Sequence, residues 1–453
     1  MRYNPKYIFW AMALCITALT ACNKYLDITP KGYTLLTTVT NYDQWLNDYD
    51  ALGLSHAPLS LNLLGDNVDQ SAIPVPATDV NDLIYTWAPQ YARDQSTLPT
   101  FWGQHYSVIN KYNTVLAGID EATGGTNQQK ASLKAEALLG RAFEYWYLVN
   151  EYGPVYDPAT ADRDLAVPFV TSNDVAQATP PRSTVKEIYD RIISDINAAL
   201  PNLPANNSSA PWRGSSAAAY SVLARIFFYS GDYTGAAKNA QLALDNGRAT
   251  MLDFKTFNLY SYATVFLPDA IYWRGNGVFQ EILPSFFSAY DPRDLRKQLW
   301  YFSQGDARGK TSFSPAFVAK SFTYTNFGTS VQEMKLIIAE AAVRKGELAI
   351  ALQQVNDIRA ARFPSPYQKL ISSDQETVLN WVLRERGFEM PSSGLRWFDM
   401  RRLDKEGKMP AVNRYDAKNN IIATLPPHSP RYTLQIPQRV LLNNPGMPQN
   451  PGE

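Results

Sequence analysis

Two stretches of this chain, SSAAAYSVLARIFFYSGDYTGAAKNAQLALDNG and VQEMKLIIAEAAVRKGELAIALQQVNDIRAAR, restrict its fold more than anything else in it. In the first, Ala219, Val222, Ile226 and Tyr229 recur on one helical face, Gly231-Asp232-Tyr233 turns the chain, and Ala236, Ala240 and Leu244 return. The second repeats the arrangement around Lys345-Gly346-Glu347. Small alanines at contact positions let antiparallel helices pack closely, and a glycine permits the turn between them. Residues 252–330 separate the two units, which argues against a regular solenoid and for a scaffold interrupted by inserts.

Such pairs have the chemistry of tetratricopeptide units, whose period is ~34 residues. Two more helices are legible. Ala135, Leu138, Ala142, Trp146 and Val149 form one stripe between Gln129 and Tyr152. Val185, Ile188, Ile192, Ile196 and Ala199 form another, capped by Ser183-Thr184 and stopped by Pro201. The expected fold is mainly α, with tetratricopeptide-like helix pairs as the scaffold and a loop-rich, irregular half for ligand binding. That half draws on residues 53–105, with Pro58, Pro74, Pro76, Pro89 and Pro99, and on residues 252–330, rich in aromatic rings. Long irregular segments inside a compact domain are usually functional.

The N-terminus reads as an export signal. Arg2 and Lys6 give a basic start, Ile8 to Leu19 is apolar, and Leu19-Thr20-Ala21-Cys22 has the form of a lipobox. The apolar run falls short of the ~20 residues of a membrane-spanning helix. The expectation is a signal peptide over residues 1–21, acylation at Cys22, a lipidated tether over 22–40 and a single domain over 41–453. The protein would then be anchored at a membrane by its acyl chains. Cys15 falls in the signal, so the mature chain would keep neither a free thiol nor a disulfide. Losing Arg2 and Lys6 would leave 40 basic residues from 42, against 42 acidic ones, a net charge of −2. That balance argues against nucleic acid, which calls for a basic face.

Enzyme signatures are sparse. His56, His105 and His428 have no metal-binding spacing, no GxSxG elbow occurs, and no cofactor or metal site is expected. Gly305-Asp306-Ala307-Arg308-Gly309-Lys310-Thr311 falls one residue short of a P-loop between its glycines. No pair of carboxylates is marked out for glycoside hydrolysis. The densest polar run, Glu385 to Arg402, reads either as an anion site or as a semi-buried structural network, and the network is the favoured reading.

Several motifs together resemble the SusD/RagB family of Bacteroidetes surface lipoproteins, over essentially the whole chain. They are Tyr25-Leu26-Asp27 with Pro30 after the cysteine, Trp102 with Tyr106, Ile109 and Asn110, and Asp291-Pro292-Arg293. The 385–402 run and the ending Leu434-Gln435-Ile436-Pro437, Asn444-Pro445 and Gln449-Asn450-Pro451-Gly452 complete the likeness. Ser393 stands where the family commonly has Glu, which would thin the local ion network. The chain is also shorter than many members, so their ligand loops do not carry over directly. The resemblance implies a non-catalytic lid on a SusC-like TonB-dependent outer-membrane barrel, facing the cell exterior and passing oligosaccharides to the pore.

A pyranose stacks its C–H face on Trp or Tyr and presents hydroxyls to polar side chains. The expected ligand contacts are therefore Trp87, Tyr91, Trp273 and Tyr290 for stacking, with Asp66 and Asn67 as polar partners. Trp102, Trp146 and Trp397 are assigned to the core. The alternatives are peptide capture by the same type of machine, a surface glycosidase, and a purely structural lid.

Overall fold

Most of the long helices start at a residue whose own side chain closes the first turn, so those boundaries follow directly from the sequence. The computed structural model describes residues 36–452 apart from 54–56, 71–72, 75, 92–100, 208, 258–266, 278–280, 306–310, 316–317 and 320–321. The signal, Cys22, most of the tether, His56 and the interior of the P-loop-like stretch lie outside the described residues. Among the described residues, α-helices of eight residues or more are α1 (Val39–Leu46), α2 (Trp102–Gly118), α3 (Asn127–Tyr152), α4 (Val185–Ala199) and α5 (Ser216–Tyr229). They continue with α6 (Tyr233–Asn246), α7 (Val331–Arg344), α8 (Leu348–Ala360), α9 (Gln375–Glu389) and α10 (Leu395–Lys405). Thr126 with Gln129 and Thr184 with Glu187 form reciprocal capping boxes at α3 and α4. A side-chain N-cap of this kind is worth ~1 kcal/mol.

The helices stack in chain order. α2 packs on α3 and α3 on α4, while α5 packs on α6 and α7 on both α8 and α9. Gly231 and Gly346 sit at equivalent turns with φ of 84° and 81°, a region that disfavours any other residue there. The two helix pairs read from sequence are separate along the chain but adjacent in space, because α6 packs directly on α7. The interruption is therefore local. Strand 270–272 pairs antiparallel with strand 329–330, Ala270 opposite Ser330. The insert leaves and re-enters the scaffold at one point, and the helical stack continues past it.

The anticipated stripes are the buried ones. Val185, Ile188, Ile192, Ile196 and Ala199 are all at most 1% exposed, and Trp146 and Trp397 are fully enclosed. Trp102 is core as well. The end of the expected tether is docked rather than free: Val39 N–H donates to the Thr123 carbonyl at 3.0 Å and α1 starts there. At the other end, Arg182 ties the tail down, donating to the Ala166 carbonyl (2.7 Å), the Pro448 carbonyl (2.9 Å) and Asn450 Oδ1 (2.5 Å).

Between α2 and α3 lies a buried charge. His105 is completely enclosed, with Nδ1 at 2.6 Å from Glu144 and Nε2 at 3.1 Å from Glu151, its ring stacked on Tyr147. Burial pushes its pKa down, but the charge of Glu151 and hydrogen bonds to both carboxylates outweigh that and raise it to about 10. A histidine in this position is a structural cation. Its folded pKa lies above the unfolded value, so its stabilisation is full below pH ~6.5 and is lost as pH rises through about 10. Thermal unfolding should show the midpoint falling from pH 7 to pH 10. His105→Gln, which strands two buried carboxylates, should cost about 3–5 kcal/mol at pH 7 and flatten that slope.

Candidate functional site

The two irregular inserts meet. Val68 and Ile282 form an antiparallel bridge, Leu283 N–H donates to the Asn67 carbonyl (3.0 Å), and Asp69 N–H donates to the Glu281 carbonyl (3.0 Å). The loop between α9 and α10 closes the third side. Asn67 Nδ2 donates to the Pro391 carbonyl (2.7 Å), and Asn62 Nδ2 to the Ser392 carbonyl (2.9 Å). Gly394 N–H returns a bond to Asn62 Oδ1 at 2.8 Å, and Arg396 grips Asp66 with two bonds of 2.5 Å. The sequence-expected polar pair, Asp66 and Asn67, thus sits at this junction. Burial works against ionisation of Asp66, but Arg396, helped by Arg414, holds its carboxyl below the usual carboxylate range.

The expected stacking rings do not converge on one open surface. Trp87 is 2% exposed, and Trp273 and Tyr290 are each 1% exposed. Trp87 Nε1 donates to the Leu64 carbonyl (3.1 Å), and its backbone holds φ of 52°, a strained value for a bulky residue. Trp273 Nε1 donates to Tyr49 Oη at 3.2 Å. Tyr290 stacks on Phe388 with centroids 4.0 Å apart and donates its hydroxyl to the Phe388 carbonyl at 3.0 Å. Tyr91 is half-buried, edge-on to Phe101, and burial followed by the Glu151 charge pushes its phenol pKa up.

Trp87, Trp273, Tyr290 and Asn67, expected to face a ligand, are thus buried side chains at the joint between the loops. The indole N–H groups of Trp87 and Trp273, the Tyr290 hydroxyl and Asn67 Nδ2 are engaged in joining loops, while Asn67 Oδ1 is buried without a partner among the described residues. Asp66 and Tyr91 keep partial exposure. Two small hollows adjoin these residues, of about 90 Å³ beside Trp273 and about 30 Å³ beside Trp87 and Tyr91. These hold a few waters at most, well below the ~300 Å³ lower end of ligand pockets.

One residue that sequence reasoning missed organises the joint. Arg414 lies in the hairpin of strands 412–415 and 421–425, where Val412 and Arg414 point inward and Tyr415 outward. Its guanidinium is sandwiched between the Tyr85 and Trp87 rings, at 4.0 and 4.2 Å from their centroids. It donates to the carbonyls of Tyr85 (2.9 Å), Leu63 (2.9 Å), Gly65 (2.8 Å) and Val68 (3.4 Å). Burial lowers its pKa to about 10, which leaves it charged at neutral pH. The signal in the sequence was an arginine at an inward position of an alternating strand.

The 385–402 run is a buried structural network, as favoured. Glu389 accepts from Arg362 (2.7 and 2.8 Å) and from Arg296 (2.6 Å), while Asp399 accepts from Arg386 (2.9 Å) and Arg402 (2.9 Å). Arg402 also holds Glu340 of α7 at 2.6 Å. Ser393 donates to the Met390 carbonyl at 3.1 Å, and its uncharged hydroxyl adds nothing to the ion pairs around it. Replacing Arg414 by Leu should strand the four carbonyls. Hydrogen exchange over residues 61–87 should rise sharply and global stability should fall by about 3 kcal/mol or more, while exchange in α5–α8 stays protected.

Residues 24–228 match a family model described as starch-binding and associating with the outer membrane, and residues 332–452 match the SusD family model. A SusD-like protein of Bacteroides ovatus is 28% identical over 50% of this chain, a match that spans 40% of that relative. SusD-like protein P2 of Formosa agariphila is 23% identical over 79% of this chain and 81% of its own length. Among solved structures, a SusD superfamily protein from Bacteroides vulgatus superposes with a TM-score of 0.75 at 22% identity, covering 92% of this chain and 99% of the other. Surface glycan-binding protein A from Bacteroides uniformis superposes with a TM-score of 0.70 at 17% identity, covering 91% and 99%. The mainly helical fold, the two model matches and the ordered motifs agree: the chain belongs to the SusD/RagB family.

Proposed function

We propose that the protein is a lipid-anchored lipoprotein on the exterior of the outer membrane that captures oligosaccharides and delivers them to a SusC-like TonB-dependent barrel. The observation that carries this reading is the match of residues 24–228 to a model described as starch-binding and outer-membrane-associated. The lipobox ending at Cys22 supplies the anchor. The near-neutral charge suits a neutral polyhydroxylated ligand better than a polyanion.

The barrel partner follows from the family likeness. The packed pairs α5–α6 and α7–α8 are the more suitable face for a permanent partner, and the irregular segments are left to the ligand. Asp66 and Tyr91, the half-exposed members of the anticipated set, are assigned to the rim of the loop half.

The test has three arms. A glycan array probed with the chain beginning after Cys22, beside a peptide panel and a turnover assay, should return one glycan class with no turnover. A response to peptides alone would replace the sugar by a peptide, and turnover would replace the binding protein by a glycosidase. Cys22→Ala should move the protein from the outer-membrane fraction to the soluble one, and detergent extraction of the wild type should bring a barrel with it.

A further inference from the structure

We propose that a cleft along α2, separate from the insert junction, is a binding site for a neutral oligosaccharide. The proposal rests on the glycan-capture reading above and gives it a location. The cleft measures about 800 Å³, within the ~300–1,000 Å³ of small-molecule sites. It shares none of the six residues anticipated from sequence.

Its wall is built in advance. The segment 169–180, which follows strand 165–168, runs over α2 and is pinned by amide and phenol groups. Asn113 Nδ2 donates to the carbonyls of Val170 (3.0 Å) and Ser172 (3.2 Å), and Asn110 Nδ2 donates to that of Asn173 (3.0 Å). Tyr106 donates to the Pro168 carbonyl (2.6 Å) and Tyr145 to that of Val170 (3.0 Å). Within the segment, Asp174 N–H bonds Ser172 Oγ and Ala176 N–H bonds Asp174 Oδ1. Trp102, Tyr106, Ile109 and Asn110, the motif whose purpose the junction did not explain, all line this cleft. A wall fixed beforehand lowers the ordering cost of binding.

The lining chemistry selects the ligand. The side chains of Ser107, Thr171, Gln177 and Thr179 line the cleft exposed and with no hydrogen bond to the described protein. The charged residues of the lining are Lys111 and Asp174, one of each sign, so the site offers no net field to a phosphate or a carboxylate. Trp45 is half-buried in the lining with Nε1 donating to the Lys111 carbonyl at 3.1 Å, which fixes the indole by its polar edge. Val175, on the same wall, is 89% exposed, an apolar tip for a sugar C–H face to cover. An aromatic ring, an apolar tip and unpaired hydroxyl and amide groups of balanced charge are what a neutral pyranose chain requires. A second hollow of about 380 Å³, beside Asn206 and Arg248, has room for a sugar but no aromatic residue in its lining.

The test uses the full chain in detergent with maltohexaose, xylohexaose, mannohexaose and chitohexaose as probes, read by calorimetry and Trp fluorescence. The variants are Ser107→Trp, which fills the cleft from an exposed helical position, and the double variant Gln177→Ala/Thr179→Ala. At least one hexasaccharide should bind. Ser107→Trp should weaken it at least tenfold, about 1.4 kcal/mol, and the double variant several-fold, with the melting temperature unchanged in both. A probe that binds both variants with wild-type affinity overturns the cleft while leaving glycan capture standing. Silence of all four overturns the cleft as well, and only silence of the array in addition overturns the capture reading.

Discussion

Glu389 is the residue on which most of this architecture turns. It ends α9, is 4% exposed, and accepts from Arg362 after α8 and Arg296 in the second insert. Burial alone would neutralise it, yet the two guanidiniums hold its pKa below the carboxylate range. Asp399 repeats the arrangement on α10 with Arg386 and Arg402, and Arg402 carries the chain of contacts on to Glu340 of α7. Buried ion pairs contribute little net stability, because desolvation offsets the Coulomb attraction. Their effect is geometric: a bidentate guanidinium accepts one orientation of its partner, so a shifted helix would leave charges unpaired. That fixes α7, α9, α10 and the second insert in a single arrangement, which apolar contact alone would specify less sharply.

A second group of arginines solves a different problem. Irregular segments carry backbone carbonyls that no helix or sheet satisfies, and burying them bare costs ~1–3 kcal/mol apiece. Arg414 caps four such carbonyls, Arg182 caps those at the strand and tail, and Arg401 reaches the Gly153 carbonyl at 2.5 Å. Burial lowers the pKa of each to about 10, so all three stay charged at neutral pH. Five donors in a planar fork make arginine suited to this task where lysine is not. Through Arg414 a two-stranded hairpin late in the chain decides where Trp87 can go.

This explains what was legible beforehand. Periodicity and capping residues act over three or four positions, so α3, α4 and both alanine-rich pairs could be read directly, with Thr184 as the cap of α4. The contact of α6 with α7 was hidden because 84 residues or so of insert intervene, and only the strand pairing of Ala270 with Ser330 closes that gap. The burial of the aromatic residues of the inserts was hidden for the same reason. Tryptophan in a polar loop looks exposed until its partner is known, and the partner of Trp87 lies more than three hundred residues away in sequence. The 385–402 run was read correctly because its acids and arginines are close enough together to suggest their own pairing.

The charged side chains divide their labour between the core and the surface. The buried arginines and carboxylates named above are held by each other and by backbone carbonyls, so their charge serves the fold. The α2 flank is different: Lys111 and Asp174 balance each other there, the other polar groups are hydroxyls and amides, and asparagine and tyrosine bonds hold the wall in place. Such a surface stabilises a ligand without needing to reorganise, so association is limited by encounter and the complex by the modest energy of a few stacked and hydrogen-bonded contacts. On the proposed reading that the ligand is handed on, that balance is an advantage, since a tighter site would retain it.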